Sequence, residues 1–295
     1  MTSSEFTTDL EALGFDAHFS SAFAQLSGDF QPARVAAAHG QSYVLWTARG
    51  LRTGILVGRR LAEWSASPER PQVGDWVAAE ATASDAWAIE HVLSRRTCLV
   101  RMAAGLRAVP QVLAANVDVV GVVSAFAKGG PAKQRRVINE ARLRRYLAAI
   151  SQSGAQPLFI MNKTDLSETS ALVAATLSEQ FPGVPLVLTC AISRGGLDGL
   201  TAWLRPATTL GLIGMSGVGK STLVNALLNR DAQRTGDIRE ADARGRHTTT
   251  HRELFQLESG ALLMDMPGTR EFAVWGEDEK VEHPRGWQHS RQRTR

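Results

Sequence analysis

Apolar and polar positions change their period along the chain, and each change marks a different kind of structure. Residues 1–30 carry Phe6, Leu10, Leu13, Phe15 and Phe19 at loosely helical spacing, which predicts an N-terminal extension used for packing. From about Ala33 to Val100 the pattern becomes short β-type stretches: Arg34 to Ala37, Ser42 to Trp46, Gly54 to Val57, Trp76 to Ala79 and Trp87 to Val92. Gly40, Gly50, a Pro68 and Pro71 loop, and Gly74-Asp75 separate them. About five strands in this length predict a small all-β barrel of the oligonucleotide-binding (OB) type over 31–104, with Arg101 to Asn116 read as a connector. From Val117 apolar runs alternate with helical patterns: strand Val117 to Val123, an Arg-rich helix near Lys133 to Ile150, strand Pro157 to Met161 and helix Glu168 to Gln180. Strand Val184 to Thr189, helix Leu197 to Leu204, strand Leu210 to Ile213, helical Leu223 to Leu228 and strand Ala261 to Met264 follow. Strands buried on both faces with helices between them predict an α/β, doubly wound parallel sheet over 105–276. The basic segment 277–295 is expected to be disordered.

Composition adds limits. A chain of 295 residues with 44% hydrophobic content accommodates about two domains with their own cores. Its net charge is +4 and its pI about 9.4, a lean toward a phosphate-rich partner. Cys98 and Cys190 lie far apart and form neither a disulfide framework nor a metal-ligand pair, which favours a reducing compartment. Glu5, Asp9 and Glu11 stand where a secretory signal would be basic, and no apolar run is long enough to span a bilayer. A cytoplasmic, monomeric protein without membrane attachment is expected. In the barrel, Tyr43, Trp46, Trp64, Trp76 and Trp87 are candidate stacking faces for unpaired bases, beside Arg49, Arg52, Arg59, Arg60, Arg95 and Arg96. For any single ring a core position is favoured, because strand aromatics usually face inward; for the barrel as a whole, RNA contact is favoured. Arg135, Arg136, Arg142, Arg144 and Arg145 read as a solvated helix face ahead of a basic patch.

The chemistry concentrates at Gly214-Met215-Ser216-Gly217-Val218-Gly219-Lys220-Ser221-Thr222, the G-x4-G-K-S/T spacing of a phosphate-binding loop (P-loop) after a short buried strand. Glycines let backbone N–H groups approach phosphate oxygens, and the following helix offers its positive end. Lys220 is placed to reach the β- and γ-phosphates and Ser221 to ligate Mg2+. A second strand ends in Asn162-Lys163-Thr164-Asp165, an N-K-x-D sequence. The Asp165 carboxylate can accept from both the ring N–H and the exocyclic amine of guanine, a donor pair adenine lacks. Asn162 would hold the loop and the purine edge, and the Lys163 stem would cover the ring. Thr189-Cys190-Ala191 matches the weak S-A-x element that backs guanine, with Cys190 where Ser is usual; since that contact is read as largely backbone, the change is expected to matter little.

After the P-loop, the polar segment Gly236 to Arg246 leads to His247-Thr248-Thr249-Thr250. Such a stretch suits a nucleotide-sensing switch, with Thr249 or Thr250 reaching Mg2+. Asp265-Met266-Pro267-Gly268 then gives a D-x-x-G motif, Asp265 for the Mg2+ shell and the Gly268 N–H for the γ-phosphate. Thr269 stands where many GTPases carry a water-orienting Gln. His247 is the nearest substitute, balanced against an ordinary surface-loop histidine.

In the usual GTPase order the P-loop precedes N-K-x-D; here it follows, so the domain reads as circularly permuted. A barrel followed by a permuted GTPase resembles the ribosome small-subunit-dependent GTPase A (RsgA/YjeQ) family over about residues 30–276. The resemblance rests on Val73-Gly74-Asp75-Trp76, Gln111 through Asn116-Val117-Asp118, Asn162 to Asp165 and Gly214 to Thr222, together with Gly245 to Thr250 and Asp265 to Gly268 followed by Arg270-Glu271-Phe272. It implies a GTP/GDP-binding, Mg2+-dependent hydrolase that acts late in maturation of the small (30S) ribosomal subunit, contacts 16S rRNA, and turns over faster once docked. It also implies a hydrolytic role for His247.

The family continues into a helical zinc domain with three cysteines and a histidine, whereas Trp275 to Arg295 contain no cysteine. His283 and His289 alone cannot close a four-coordinate site, so no zinc ligands are expected here. That departure keeps a second reading open, a GTP-gated RNA- or ribosome-binding module with little turnover. A third, a permuted GTPase of large-subunit assembly, is opposed by the N-terminal barrel.

Overall fold

The structure is a computed structural model describing residues 9–64, 67–83, 86–102, 110–128, 138–228 and 252–266. Phe6 and the 277–295 tail, including His283 and His289, lie outside the described residues. Two compact units divide the chain, one built on Met1–Val117 with Gln152–Ala155, the other on Asp118–Ser151 with Gln156–Phe272.

The first unit is a closed barrel. Its strands are β1 (Gln31–His39), β2 (Ser42–Thr47), β3 (Gly50–Ile55), β4 (Trp76–Ala81) and β5 (Trp87–Val92). They join in the order β1-β2-β3-β5-β4 and close through β1–β4; all pairs are antiparallel except β3–β5. Closure removes the free edges that an open five-stranded sheet would expose. Ala33, Val35, Tyr43, Leu45, Val77, Ala79, Trp87 and Ile89 fill the interior. Trp64, at the end of the helix Gly58–Trp64, packs against them. The Val73-Gly74-Asp75-Trp76 signature makes the tight entry to β4: one Asp75 oxygen accepts the Gln72 N–H at 2.8 Å. Both Asp75 oxygens accept from Arg95 at 2.8 Å, and Arg95 also donates to the carbonyls of Pro68 and Arg70. Burial pulls the Arg95 guanidinium down, but the charge and hydrogen bonds of Asp75 outweigh it and hold it above its ordinary value.

The N-terminal extension packs as its apolar spacing predicts. Helix α1 (Ala17–Ala24) starts at Asp16, whose side chain accepts the His18 N–H at 3.0 Å. Phe15 and Phe19 lie 4.8 and 5.9 Å from the Trp76 ring, centroid to centroid. Trp76 is paired in register with Arg34, whose buried guanidinium lies over that ring and donates to the carbonyls of Leu13 and Asn116. Trp76 is thus buried by the N-terminal segment outside the barrel core.

Burial sorts the candidate stacking rings, mostly toward the core position favoured for each. Tyr43, Trp64, Trp76 and Trp87 are all buried and present no face to a base; Trp46 alone of the five is half-buried. Arg101 to Asn116 is likewise more than a connector. β7 (Pro110–Ala115) pairs antiparallel with β6 (Cys98–Met102), and Leu99, Val112 and Leu113 are buried. The break in pattern between the two strands hides a hairpin.

The strands of the second unit are β8 (Val119–Ala125), β9 (Gln156–Asn162), β10 (Leu186–Leu188), β11 (Thr209–Gly214), β12 (Glu253–Gln256) and β13 (Leu262–Asp265). They form a mostly parallel sheet in the order β10-β9-β8-β11-β13-β12. With the barrel helix Gly58–Trp64 as α2, helices α3 (Glu140–Ser153), α4 (Ser170–Gln180) and α5 (Lys220–Leu227) connect them. Every residue of β8 and β11 is buried, which is why these strands read as continuous apolar runs. Asp118 fastens their amino ends, one carboxylate oxygen accepting the Thr209 N–H at 2.8 Å. Leu197–Trp203 is a 3-10 helix, and the short antiparallel β12 carries no alternation long enough to announce it. No helix among the described residues is long and apolar enough to cross a membrane.

Candidate functional site

The chain leaves β8 for β9 and β10 on one side, and leaves β11 for β13 on the other. The crevice between two such directions, at the carboxyl ends of the strands, is where open α/β sheets bind ligands. Register places the candidate residues there: Gly214 pairs with Val123, Asn162 with Ala125, and Asp265 with Leu212.

The P-loop runs from the end of β11 into the eight-residue α5. Gly214 has φ 152°, and a Cβ there would lie 2.3 Å from the Val123 carbonyl oxygen, a backbone atom that cannot move aside. Gly219 has φ 92°, and its Cβ would lie 2.4 Å from Asn162 Nδ2. A Cβ on Gly217 would meet nothing within 4 Å, so the loop's middle is an open cradle. Lys220 Nζ donates to the carbonyls of Gly214 at 2.7 Å and Met215 at 3.3 Å. Burial lowers the Lys220 pKa from its ordinary value, with the Asp265 charge opposing the shift. The result is a partly buried cation held on two backbone carbonyls, an arrangement that an anion would relieve. Ser221 on α5 and Asp265 at the end of β13 carry oxygen atoms of the kind a hard cation such as Mg2+ takes.

The second loop is fastened to the first. Asn162 is 2% exposed; its Oδ1 accepts from the Thr189 hydroxyl at 3.3 Å and the Ala191 N–H at 3.0 Å, while its Nδ2 donates to the Val218 carbonyl at 3.1 Å. One side chain therefore brackets three loops, which leaves it a single amide hydrogen for a purine edge. Lys163 turns the chain with φ 63° and its ammonium donates to the Gly217 carbonyl at 2.7 Å. Lys163, Asp165, Cys190, Ile192, Gly219 and Thr222 line the open cleft beside it. His247, Thr249, Thr250 and Gly268 lie outside the described residues.

The sequence matches the model described as RsgA GTPase over residues 92–275. A protein named Small ribosomal subunit biogenesis GTPase RsgA from Opitutus terrae is 42% identical over 282 residues, 92% of this chain and 75% of that protein. The chain belongs to the RsgA GTPase family. A protein of the same name from Syntrophotalea carbinolica is also 42% identical, over 92% of this chain and 74% of its own length. In fold the chain is similar to the crystal structure of YjeQ from Thermotoga maritima, with TM-score 0.58 at 22% identity over 81% of this chain and 75% of that one. It is also similar to YloQ, titled a circularly permuted GTPase, with TM-score 0.55 at 21% identity over 84% of this chain and 75% of that one.

Within this RsgA-family cleft two residues carry more than their sequence suggests. The Cys190 thiol donates to Asp165 Oδ1 at 3.1 Å, so the side chain, and not the backbone alone, reaches the carboxylate read as the guanine acceptor. The contact is therefore not backbone alone, while a Ser hydroxyl could donate in the same way. Cys190→Ser is expected to hold the preference for GTP over xanthosine triphosphate within about threefold. Cys190→Ala leaves the oxygen without its donor and is expected to reduce that preference about tenfold. Competition binding measures both, and equal preference in the two variants would refute the role. Ile192 was missed altogether: it lines the cleft while 79% exposed, and the only signal for it is an aliphatic residue in a polar loop directly after Cys190-Ala191.

Proposed function

We propose that this chain is a guanine-specific, Mg2+-dependent GTP hydrolase acting in late maturation of the small ribosomal subunit, as a cytoplasmic monomer whose partners are the 30S particle and its 16S rRNA. The observation that carries the nucleotide assignment is the Asn162 bracket, which ties the base loop to the phosphate loop through the Val218 carbonyl. The names of the relatives, which refer to small ribosomal subunit biogenesis, support the ribosomal part.

In this reading the backbone N–H groups of Gly214 to Thr222 and the Lys220 ammonium hold the β- and γ-phosphates. Asp165, oriented by Cys190, accepts guanine's two donors, while the Lys163 stem and Ala191 flank the ring. Ser221 and Asp265 hold Mg2+, which supplies charge neutralisation when bound. Water attacks the γ-phosphorus in line and the bond to the β-phosphate oxygen breaks, so positioning and charge account for most of the rate. Gly268 contacts the γ-phosphate, Thr249 or Thr250 closes the switch, and His247 orients the water. With no Gln after the D-x-x-G glycine, turnover alone is slow and docking completes the site.

Phosphate release and co-sedimentation test this together. The expected result is slow GTP turnover alone, at least about tenfold acceleration by 30S subunits, and co-sedimentation with 30S but not 50S particles. Negligible release under both conditions would favour a GTP-gated binder, and sedimentation with 50S would move the chain to the other subunit.

A further inference from the structure

The most exposed large apolar side chain among the described residues is Ile192, at 79%, and it lines the cleft beside Asp165. A lone exposed aliphatic is ordinary on a protein surface, so its meaning depends on how it is held and on what surrounds it.

Ile192 is held firmly. The Thr189 N–H donates to the Met161 carbonyl at 2.9 Å, which ties the chain leaving β10 to the end of β9. Cys190 and Gly195 then pair as an isolated antiparallel bridge, the Cys190 N–H donating to the Gly195 carbonyl at 2.8 Å, so residues 191–194 form a closed turn. Ala191 is 5% exposed, and its N–H is fixed by Asn162 Oδ1 at 3.0 Å. Ile192 is itself branched at Cβ, which restricts its side chain before any ligand arrives. A stiff aliphatic group therefore stands next to a buried anchor at the edge of the cleft.

The rest of the cleft offers no substitute for it. Asp165 and Asn162 bring polar atoms, and the Lys163 ammonium is taken up by the Gly217 carbonyl at 2.7 Å, which leaves its stem between the base loop and the P-loop. Ile192 is the one large aliphatic residue among the described residues that line the cleft. A purine has a polar edge and two apolar faces, so a site that hydrogen-bonds the edge still gains from carbon that removes a face from water. Ser193, Arg194 and Gly195, which follow, are exposed and carry no apolar side chain, so the turn makes no apolar patch for a protein partner.

We propose that Ile192 is the apolar wall against which the purine face packs, setting how tightly the base is held while Asp165 and Cys190 set which base it is. This rests on the reading of the cleft as the guanine site and adds to it a residue that acts on affinity and is blind to the base edge. The contact is uncharged, so its contribution is independent of salt, unlike the grip of Lys220 on phosphates.

The test displaces a ribose-labelled fluorescent GDP from the full chain with unlabelled GDP, xanthosine diphosphate or inorganic tripolyphosphate, at low and at high salt. Ile192→Ala is expected to weaken GDP and xanthosine diphosphate by the same factor, about 5- to 10-fold at either salt concentration, and to leave the inhibition constant of tripolyphosphate unchanged. Ile192→Leu is expected to stay within about threefold of the parent for all three. The melting temperature without nucleotide is expected to be unchanged in both variants, because the side chain is mostly in water before the base arrives. No binding of the labelled nucleotide by the parent, parent-like GDP binding by Ile192→Ala, a loss confined to one of the two nucleotides, or an equal loss for tripolyphosphate would each overturn the wall. If the parent prefers GDP to ADP while Ile192→Ala binds GDP normally, the wall fails and the guanine reading stands. If the parent binds ADP as tightly as GDP and Ile192→Ala loses both by the same factor, the wall stands and the guanine reading fails.

Discussion

Lys220→Ala is expected to lower kcat/KM for GTP by about 10^2- to 10^3-fold while leaving the fold intact. The ammonium rests on the carbonyls of Gly214 and Met215, and under the proposed function its charge is used on the nucleotide's phosphates. The effect on stability has the opposite sign to the effect on activity. Because burial holds the folded-state pKa of Lys220 below its ordinary 10.5, the protonated side chain opposes folding below that lowered pKa. The opposition fades as pH rises from the lowered pKa to 10.5. Removing the cation should therefore leave the nucleotide-free melting temperature at neutral pH equal or slightly higher. It should also abolish most of the rise in melting temperature that GDP gives the parent chain. Melting curves with and without GDP check this directly. A variant that melts early in both conditions would mean that Lys220 is structural.

Asp165→Asn is expected to reverse base preference. Guanine carries two adjacent donors, which the proposed function sets against Asp165, and asparagine there replaces one acceptor by a donor that meets them head-on. Xanthine carries an oxygen where guanine carries its amine, so the same donor now finds an acceptor. The loss for GTP should be about 10^2- to 10^3-fold, with a gain for xanthosine triphosphate, because buried polar mismatches discriminate more strongly than lost apolar contacts. Asn is nearly isosteric with Asp and Cys190 can still donate to the remaining oxygen, so the melting temperature should change little. Unchanged discrimination between the two nucleotides would remove Asp165 from the base site.

The two loops were legible because their chemistry is local. A P-loop needs glycines where a Cβ would strike Val123 or Asn162, and those glycines are visible in the sequence. The N-K-x-D tetrapeptide lies at the end of an apolar strand, which β9 is. The barrel was legible through its turns, since Gly40, Gly50 and Gly74 all take positive φ. What lay beyond reach depends on contacts distant in sequence. Nothing near Trp76 indicates that Phe15 and Phe19 will cover it, and a strand aromatic can be buried from either side of the sheet. The β6–β7 hairpin was hidden because its strands flank a stretch without pattern. The role of the Cys190 side chain depends on Asp165 arriving beside it from another loop. Swapping the order of the P-loop and N-K-x-D changes none of this, because parallel strands meet in register whichever is made first.

Two loops joined by Asn162 and proposed to hold the two ends of one nucleotide demand both phosphate affinity and base selectivity. Isothermal calorimetry of the full chain with GDP, and separately with ADP at the same concentrations and Mg2+, measures the two together. Saturable heat with GDP at one site per chain, and none with ADP, is the predicted result. Silence with GDP, or matching heats for GDP and ADP, would contradict it.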